Sequence, residues 1–293
     1  MSDAVSLDLE RRFGGLERLY GPASLGSLSA AHVAVAGIGG VGSWCAEALA
    51  RTGIGALSLI DLDHIAESNI NRQLHALNET LGQAKVMAMA QRVHGINPAC
   101  RLQIIDDFVS PENVADLFAG DVRLIIDCTD QAQAKIAMIL EARRRNIPIV
   151  VCGGAGGKTN PLSLRAGDLS AAVNDALLAK LRNTLRRQHG YPKAASQAGK
   201  VRKRIPKMGV RSLWFDQAVL LPAQWQQAKV KVPVMQAPDR QELGLIATQA
   251  PEASALQGLS CAGYGSVVTV TGAMGMAAAN EAIQYFLNGK FVS

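Results

Sequence analysis

The chain has 293 residues, of which 48% are hydrophobic but only 4% aromatic, which excludes a small cross-linked scaffold or a wholly disordered chain and suits an α/β core packed from Ala, Val, Ile and Leu. Five cysteines without a C-x-x-C pair exclude a zinc knuckle and a disulfide framework and favour a reducing cytoplasm. The net charge of +6 is uneven: Lys180 to Arg211 holds eleven Lys and Arg and no Asp or Glu, and taking these from 30 basic residues leaves 19 against 24 acidic ones, a net −5 elsewhere.

The opening MSDAVSLDLERRF places two arginines where an export signal needs an apolar run, so no export is expected. Strands are predicted at 32–37, 56–61, 101–106, 122–127 and 147–152. Helices are predicted between them at 41–52, 82–95, 111–119 and 130–145, with Pro111 at the first helical position of its helix. This alternation predicts an α/β fold built on a doubly wound, mainly parallel sheet, with a Rossmann-like half over 10–155 and a mixed-strand C-terminal extension. The whole chain, 1–293, reads as a single domain, with a functional boundary near Gly153.

In the first unit Gly37, Gly39 and Gly42, with Gly40 between them, complete a G-x-G-x-x-G turn between strand and helix. Such a turn suits a dinucleotide or ATP and does not decide between them. Asp61 follows Gly37 by 24 residues at the end of the second strand, where a carboxylate accepts hydrogen bonds from ribose hydroxyls; a strand-end cap is its alternative. Asp63 lies two residues on, in LIDLD. The asparagine-rich segment ESNINRQLHAL, read as the entry to a short helix, contributes Asn69, Asn71, Arg72 and Gln73, and Lys85 follows. Arginine and lysine in one cleft hold a triphosphate and stabilise negative charge at its α-phosphorus. Hydride transfer has no such need. The fourth strand ends in DCTD, and its Asp130 is placed to hold Mg²⁺ against phosphate oxygens, with a helix N-cap as the alternative.

Beyond Gly153 the pattern fades. GGAGGKT mimics a phosphate-binding loop, but that motif requires glycine at Cys152, and the segment is read as a flexible turn near the substrate. A basic helix follows, and 192–207 is the stretch expected to need a partner for order. Residues 266–287 form an apolar segment that carries Asn280 and Glu281, so packing inside the protein or in a dimer is favoured over a membrane span. Peripheral or C-terminal membrane association is the lesser alternative. Cys261 is read as inert core, and the five histidines show no ligand spacing.

Taken in order, GIGGVG, LIDLD, NINRQ, G-x-x-K and DCTD resemble the ATP-binding half of the ubiquitin-activating and sulfur-carrier-activating adenylyltransferases, the ThiF/MoeB type. The resemblance implies that the glycine turn and Asp61 bind the adenosine of ATP, Arg72 and Lys85 the phosphates, and Asp130 magnesium. It also implies a homodimer in which an N-terminal arginine enters the partner's site, with Arg12 and Arg18 as the candidates. The reaction implied is attack of a carboxylate on the α-phosphorus of ATP.

Relatives that activate carrier proteins commonly carry C-x-x-C zinc ligands and a cysteine in the crossover. This chain has no such pair, and its 157–235 stretch has no cysteine. That crossover is rich in cations instead, and Lys180, Arg182, Arg186, Arg187, Arg202, Lys203, Arg204 and Lys207 match a footprint on a phosphate backbone. GIGGVGSW, ARTGIGALSLID, RFGG-x-x-RLYG, GGAGGK and GDL closely resemble the bacterial tRNA threonylcarbamoyladenosine dehydratases, a branch of the same superfamily. This implies ATP-dependent dehydration, by cyclisation, of a modified adenosine in tRNA, with residues 156–293 serving substrate and dimerisation. Activation of a ubiquitin-like or sulfur-carrier protein is the alternative, followed by a nicotinamide-dependent oxidoreductase. A sulfur-transfer or redox partner is left open.

Overall fold

The computed structural model describes residues 8–193, 205–221 and 264–291. The strands are β1 (His32–Ala36), β2 (Ala56–Ile60), β3 (Arg101–Ile105), β4 (Leu124–Asp127), β5 (Ile149–Cys152), β6 (Leu164–Asp168) and β7 (Arg211–Phe215). The helices are α1 (Leu9–Phe13), α2 (Gly15–Tyr20), α3 (Ser24–Ser29), α4 (Gly42–Arg51), α5 (Lys85–Ile96), α6 (Val114–Leu117), α7 (Ala132–Arg145), α8 (Ala176–Gln188) and α9 (Val268–Asn288). The sheet runs β3-β2-β1-β4-β5-β7-β6. Among the described residues only the β6–β7 pairing of this sheet is antiparallel, so the predicted doubly wound, mainly parallel sheet is the observed one.

β1, β2, β4 and β5 are buried throughout, because helices cover both faces and leave no position where a polar side chain meets water. Successive residues feed two cores. Val33, Val35, Leu57, Leu124 and Ile126 face α4, α5 and α9, while Ala34, Ala36 and Ile125 face α7 and α8. β3, at one edge of the sheet, is largely exposed, with Arg101 and Gln103 in it.

Two expectations change. Regularity does not fade after residue 161. β6 and β7 add two strands, whose signals are weak because LRAGD carries charge and glycine and RSLWF follows a basic stretch. Pro111 does not open a helix: α6 begins at Val114, and the preceding turn is held by Asn113, whose Oδ1 accepts from the Ser110 N–H at 2.8 Å. The small-residue stretch of α9 packs inside the protein, one of the two packings expected of it. A side chain on Gly275 would overlap the Val41 carbonyl and come within 2.8 Å of Trp44 Cβ, and Gly272 faces the same indole. Glycine here lets α9 seat on α4. No helix among the described residues is long and apolar enough to cross a membrane, and Glu281 of α9 is buried in a paired contact with Arg211 at 2.9 and 2.7 Å. That pairing removes Arg211 from the uncompensated cations.

Beneath the C-terminal ends of β4 and β5 lies an ion pair with both side chains fully buried. Lys135 Nζ is 3.0 Å from Asp127 Oδ1 and donates to the Cys152 carbonyl at 2.8 Å. Asp127 Oδ1 also accepts from the Thr129 N–H and hydroxyl. Burial pushes the Asp127 carboxyl above its ordinary range, and the Lys135 ammonium opposes that shift. Asp127 therefore holds the DCTD turn in shape.

Two stability outcomes are expected. Gly275→Val should cost about 1–3 kcal/mol by overpacking the α4–α9 contact, whereas Met276→Ala, at an exposed position of the same helix, should stay near wild type in thermal unfolding. Lys135→Met should cost about 3–5 kcal/mol in urea unfolding because it strands a buried carboxylate. Adding Asp127→Asn should recover part of that loss, and a double variant no more stable than Lys135→Met alone would count against the pair.

Candidate active site: a nucleotide cleft at the switch point of the sheet

The strand order reverses between β1 and β4, and ligands of such sheets bind in the crevice outside the C-terminal strand ends at that point. A cavity of about 580 Å³ opens there, lined by Gly37, Gly39, Gly40, Asp61, Asp63, Asn69, Arg72, Gln73, Lys85 and Asp130 among others. Ten residues singled out in the sequence thus converge on one cleft.

The glycine turn is shaped by close approach. Gly37 has φ +84°, and a Cβ there would lie 2.9 Å from the Cys128 and Thr129 backbone. Gly42 does not line the cleft. A side chain there would collide with the Gly37 carbonyl oxygen, so this glycine serves the packing of α4 under the turn. Asp61 closes the turn from the other side: Oδ2 accepts from the Ile38 N–H at 2.6 Å and Oδ1 from the Asp63 N–H at 2.9 Å. A carboxylate has about four acceptor positions, so two bonds to backbone leave capacity for a ligand. Burial raises its proton affinity above that of an ordinary carboxylate, against the pull of Lys85 and these two N–H groups.

Lys85 begins α5 and its side chain is only 6% exposed, with Nζ 2.6 Å from Asp63 Oδ2 and 3.9 Å from Asp61 Oδ1. Arg72 is half-buried and directed by neighbours. Its Nη1 donates to the Ser68 carbonyl at 2.7 Å and to Asn71 Oδ1 at 2.9 Å, and its own carbonyl accepts from Trp44 Nε1 at 3.0 Å. Asn71 in turn donates to the Ser266 carbonyl at 2.9 Å, tying this loop to the approach to α9. Asn69 caps the single 3-10 turn Glu67–Asn69, its Oδ1 accepting from the Ala66 N–H at 3.1 Å; that turn stands where a short helix was expected. Gln73 is buried with Oε1 unpartnered among the described residues, an acceptor suited to a ligand donor.

Asp130 lies on the opposite wall and is exposed. It is not the N-cap of α7, which is Gln131. No group of three or more His, Cys, Asp or Glu among the described residues could hold a metal unaided, so a cation here would depend on ligand oxygens.

Several contributors escaped sequence reasoning. Phe108 is 54% exposed and lines the cleft beside Asp107 and Val109; its apolar ring just beyond the C-terminal end of β3 was an available signal. Thr271 reaches the cleft from α9 and Leu177 from α8, contacts that only the tertiary fold brings about. His75 Nε2 meets the Ile38 carbonyl at 2.7 Å, so that nitrogen carries the proton, and burial lowers the affinity of the ring for a second one. A second array, Asp121–His32–Ser58 with both contacts at 2.8 Å, imitates a hydrolytic triad. Ser58 is wholly buried, so its hydroxyl meets no substrate.

Other predicted residues lie elsewhere. Arg12 donates to the Ile96 carbonyl at 2.8 Å, at the far end of α5 from Lys85, a separation of about 16 Å at 1.5 Å per residue. Arg12 and Arg18 do not line the cleft of their own chain. In the basic segment Lys180, Arg187 and Lys207 are exposed, whereas Arg182 donates to the Leu169 and Ala172 carbonyls and Arg186 to the Pro192 carbonyl. Arg202, Lys203, Arg204 and Cys261, with much of 192–207, fall outside the described residues. The GGAGGKT segment is not a flexible turn. Gly153 and Gly154 line the cleft, Gly154 N–H donates to Asp175 at 2.8 Å, and buried Lys158 donates to the Asn174 and Gln217 carbonyls. The sequence signal of flexibility was its glycines, and the anchors are remote in sequence.

The ThiF family profile matches residues 13–291. The tRNA threonylcarbamoyladenosine dehydratase of Escherichia coli is 39% identical over 285 residues, covering 97% of this chain and 96% of that protein. Its Haemophilus influenzae namesake is 49% identical over 182 residues, covering 62% and 70%. A solved structure of the E. coli tRNA N6-threonylcarbamoyladenosine dehydratase in complex with ATP superposes with a TM-score of 0.76 at 35% identity, over 98% of each chain. With the cleft, the strand order and this nearly full-length similarity in agreement, the chain belongs to the ThiF family.

Proposed function

We propose that the chain is an ATP-dependent enzyme that dehydrates threonylcarbamoyladenosine in tRNA by adenylating its carboxylate. The observation that carries this reading is the convergence of Arg72 and Lys85 with Asp61 in one cleft at the switch point. Two cations there suit a triphosphate better than a nicotinamide dinucleotide. The names of the full-length relatives supply the substrate.

In this reading Asp61 accepts from the ribose hydroxyls, the glycine turn receives the nucleotide backbone, and Arg72 and Lys85 hold the phosphates. A carboxylate oxygen of the substrate attacks the α-phosphorus and pyrophosphate leaves. The neighbouring carbamoyl group then closes on the activated acyl carbon, and AMP departs with the former carboxylate oxygen. Asp130 would hold Mg²⁺ against phosphate oxygens, and one carboxylate plus ligand oxygens fits that ion; bound there, it would neutralise phosphate charge.

The ring closure is internal to the substrate, so no enzyme nucleophile is required. Cys128, which lines the cleft, supports this. Its thiol shares a hydrogen bond with Cys152 at 3.8 Å, and that bond together with burial pushes its proton affinity well above the usual range. A protonated thiol is a poor nucleophile. Exposed Lys180 and Arg187 share α8 with Leu177 of the cleft lining, which supports reading them as contacts to RNA phosphates. A cytoplasmic homodimer, with Arg12 or Arg18 serving the partner's cleft, is part of the proposal; neither arginine lines its own.

Arg72→Ala and Lys85→Ala should each fold normally and slow tRNA-dependent pyrophosphate release by about 100-fold or more. Release at the wild-type rate in either variant would overturn this placement of the triphosphate.

A further inference from the structure

The cleft occupies the C-terminal ends of the strands, and a second cavity of about 650 Å³ opens at the opposite end of the sheet, its lining residue Ile149 about 13 Å along β5 from Gly153 of the cleft. Neither the nucleotide nor the reaction uses it. Tyr191, Tyr285 and Phe291 line it together with Arg143 and Asn146, and it lies within the 300–1,000 Å³ span of ligand sites.

The chemistry of the walls is specific. Arg143 lies over the Tyr191 ring at 4.9 Å, and Tyr285 and Phe291 lie 5.0 Å apart in a tilted pair. Exposed Lys193 and Lys207 flank the lining residues Pro192 and Met208. Nearby carboxylates are already engaged: Glu141 by Arg144 and Arg145, Glu281 by Arg211, and Asp168 by the Met208 and Gly209 N–H groups. The mouth is therefore cationic and the interior aromatic, with Asn146 and the backbone of Gly190 offering polar groups to a ring edge.

We propose that this cavity receives an unstacked base of the bound RNA, its face against the aromatic rings and its flanking phosphates met by Arg143, Lys193 and Lys207. The combination of aromatic platforms and cations is what single-stranded RNA requires. The basic segment supplies both walls of the mouth, at Gly190–Pro192 and Met208–Val210. This inference rests on the tRNA reading above and gives that RNA a contact remote from the reacting adenosine.

The test is the affinity of the full-length protein for a fluorescently labelled tRNA, measured across a salt series, with ATP affinity and sedimentation mass followed in parallel. Tyr285→Leu should weaken tRNA binding about 5- to 150-fold, the scale of one base–aromatic stack, with the salt slope and ATP affinity unchanged. Tyr285→Phe, which keeps the ring, should bind like wild type. Tyr191 is more deeply buried, so Arg143→Gln provides the second variant and should lower the slope of log K against log salt by roughly 0.7–0.9. A folded Tyr285→Leu protein that binds tRNA as tightly as wild type overturns the inference. So does a change of mass without a change in tRNA affinity, which would assign the cavity to a second copy. Wild-type protein that binds no tRNA removes the RNA reading itself; tRNA binding unaffected by both Tyr285→Leu and Arg143→Gln removes only the base site.

Discussion

The structure of the cleft depends on one hydrogen bond, from the Ile38 N–H to the Asp61 carboxylate at 2.6 Å. It joins the glycine turn after β1 to the end of β2, two segments that the parallel register brings side by side, Ala36 opposite Ile60. The same carboxylate organises the Asp63 N–H and lies within reach of Lys85. Its position therefore sets the turn, the strand end and the nearest cation together. A group used this way has to be buried, and the raised proton affinity of Asp61 is the cost of that burial.

Charges in this protein divide by what surrounds them. Lys135, Asp127, Arg211 and Glu281 are paired inside and hold strand ends and α9 in place. On the cleft wall Asp130 is exposed and Arg72 half-buried, Lys85 is buried but faces the cavity, and Lys180, Arg187 and Lys207 point to solvent. A buried pair without water is a structural constraint, whereas a cation on a cleft wall or surface can meet phosphate. This division explains why so basic a segment as 180–211 contains residues with unlike duties: Arg182 and Arg186 bond to carbonyls of the fold, and their immediate neighbours remain available.

The sheet and the cleft were legible because both depend on local patterns. Apolar runs such as ALSLI mark strands, and strand ends carry the chemistry in a doubly wound sheet, so Asp61 and Asp130 declare themselves by position. What could not be read depends on distant partners. The glycines of α9 suit packing inside the protein or across a dimer equally, until Trp44 is found against them. GGAGGKT looks mobile until Asp175 and Gln217 bind it, and Arg211 looks like a free cation until Glu281, seventy residues later, neutralises it. β6 was hidden by its own residues, because a five-residue strand with Arg165, Gly167 and Asp168 has little hydrophobic signal.

The central claim is that the cleft activates a carboxylate of a nucleoside within tRNA. It is tested most directly by mass spectrometry of the nucleosides released from tRNA containing threonylcarbamoyladenosine after incubation with the protein and ATP. The account predicts that this nucleoside is replaced by a product lighter by one water, with AMP and pyrophosphate formed in equal amounts. An unaltered nucleoside, while ATP is consumed in the presence of a carrier protein with a free C-terminus, would contradict it.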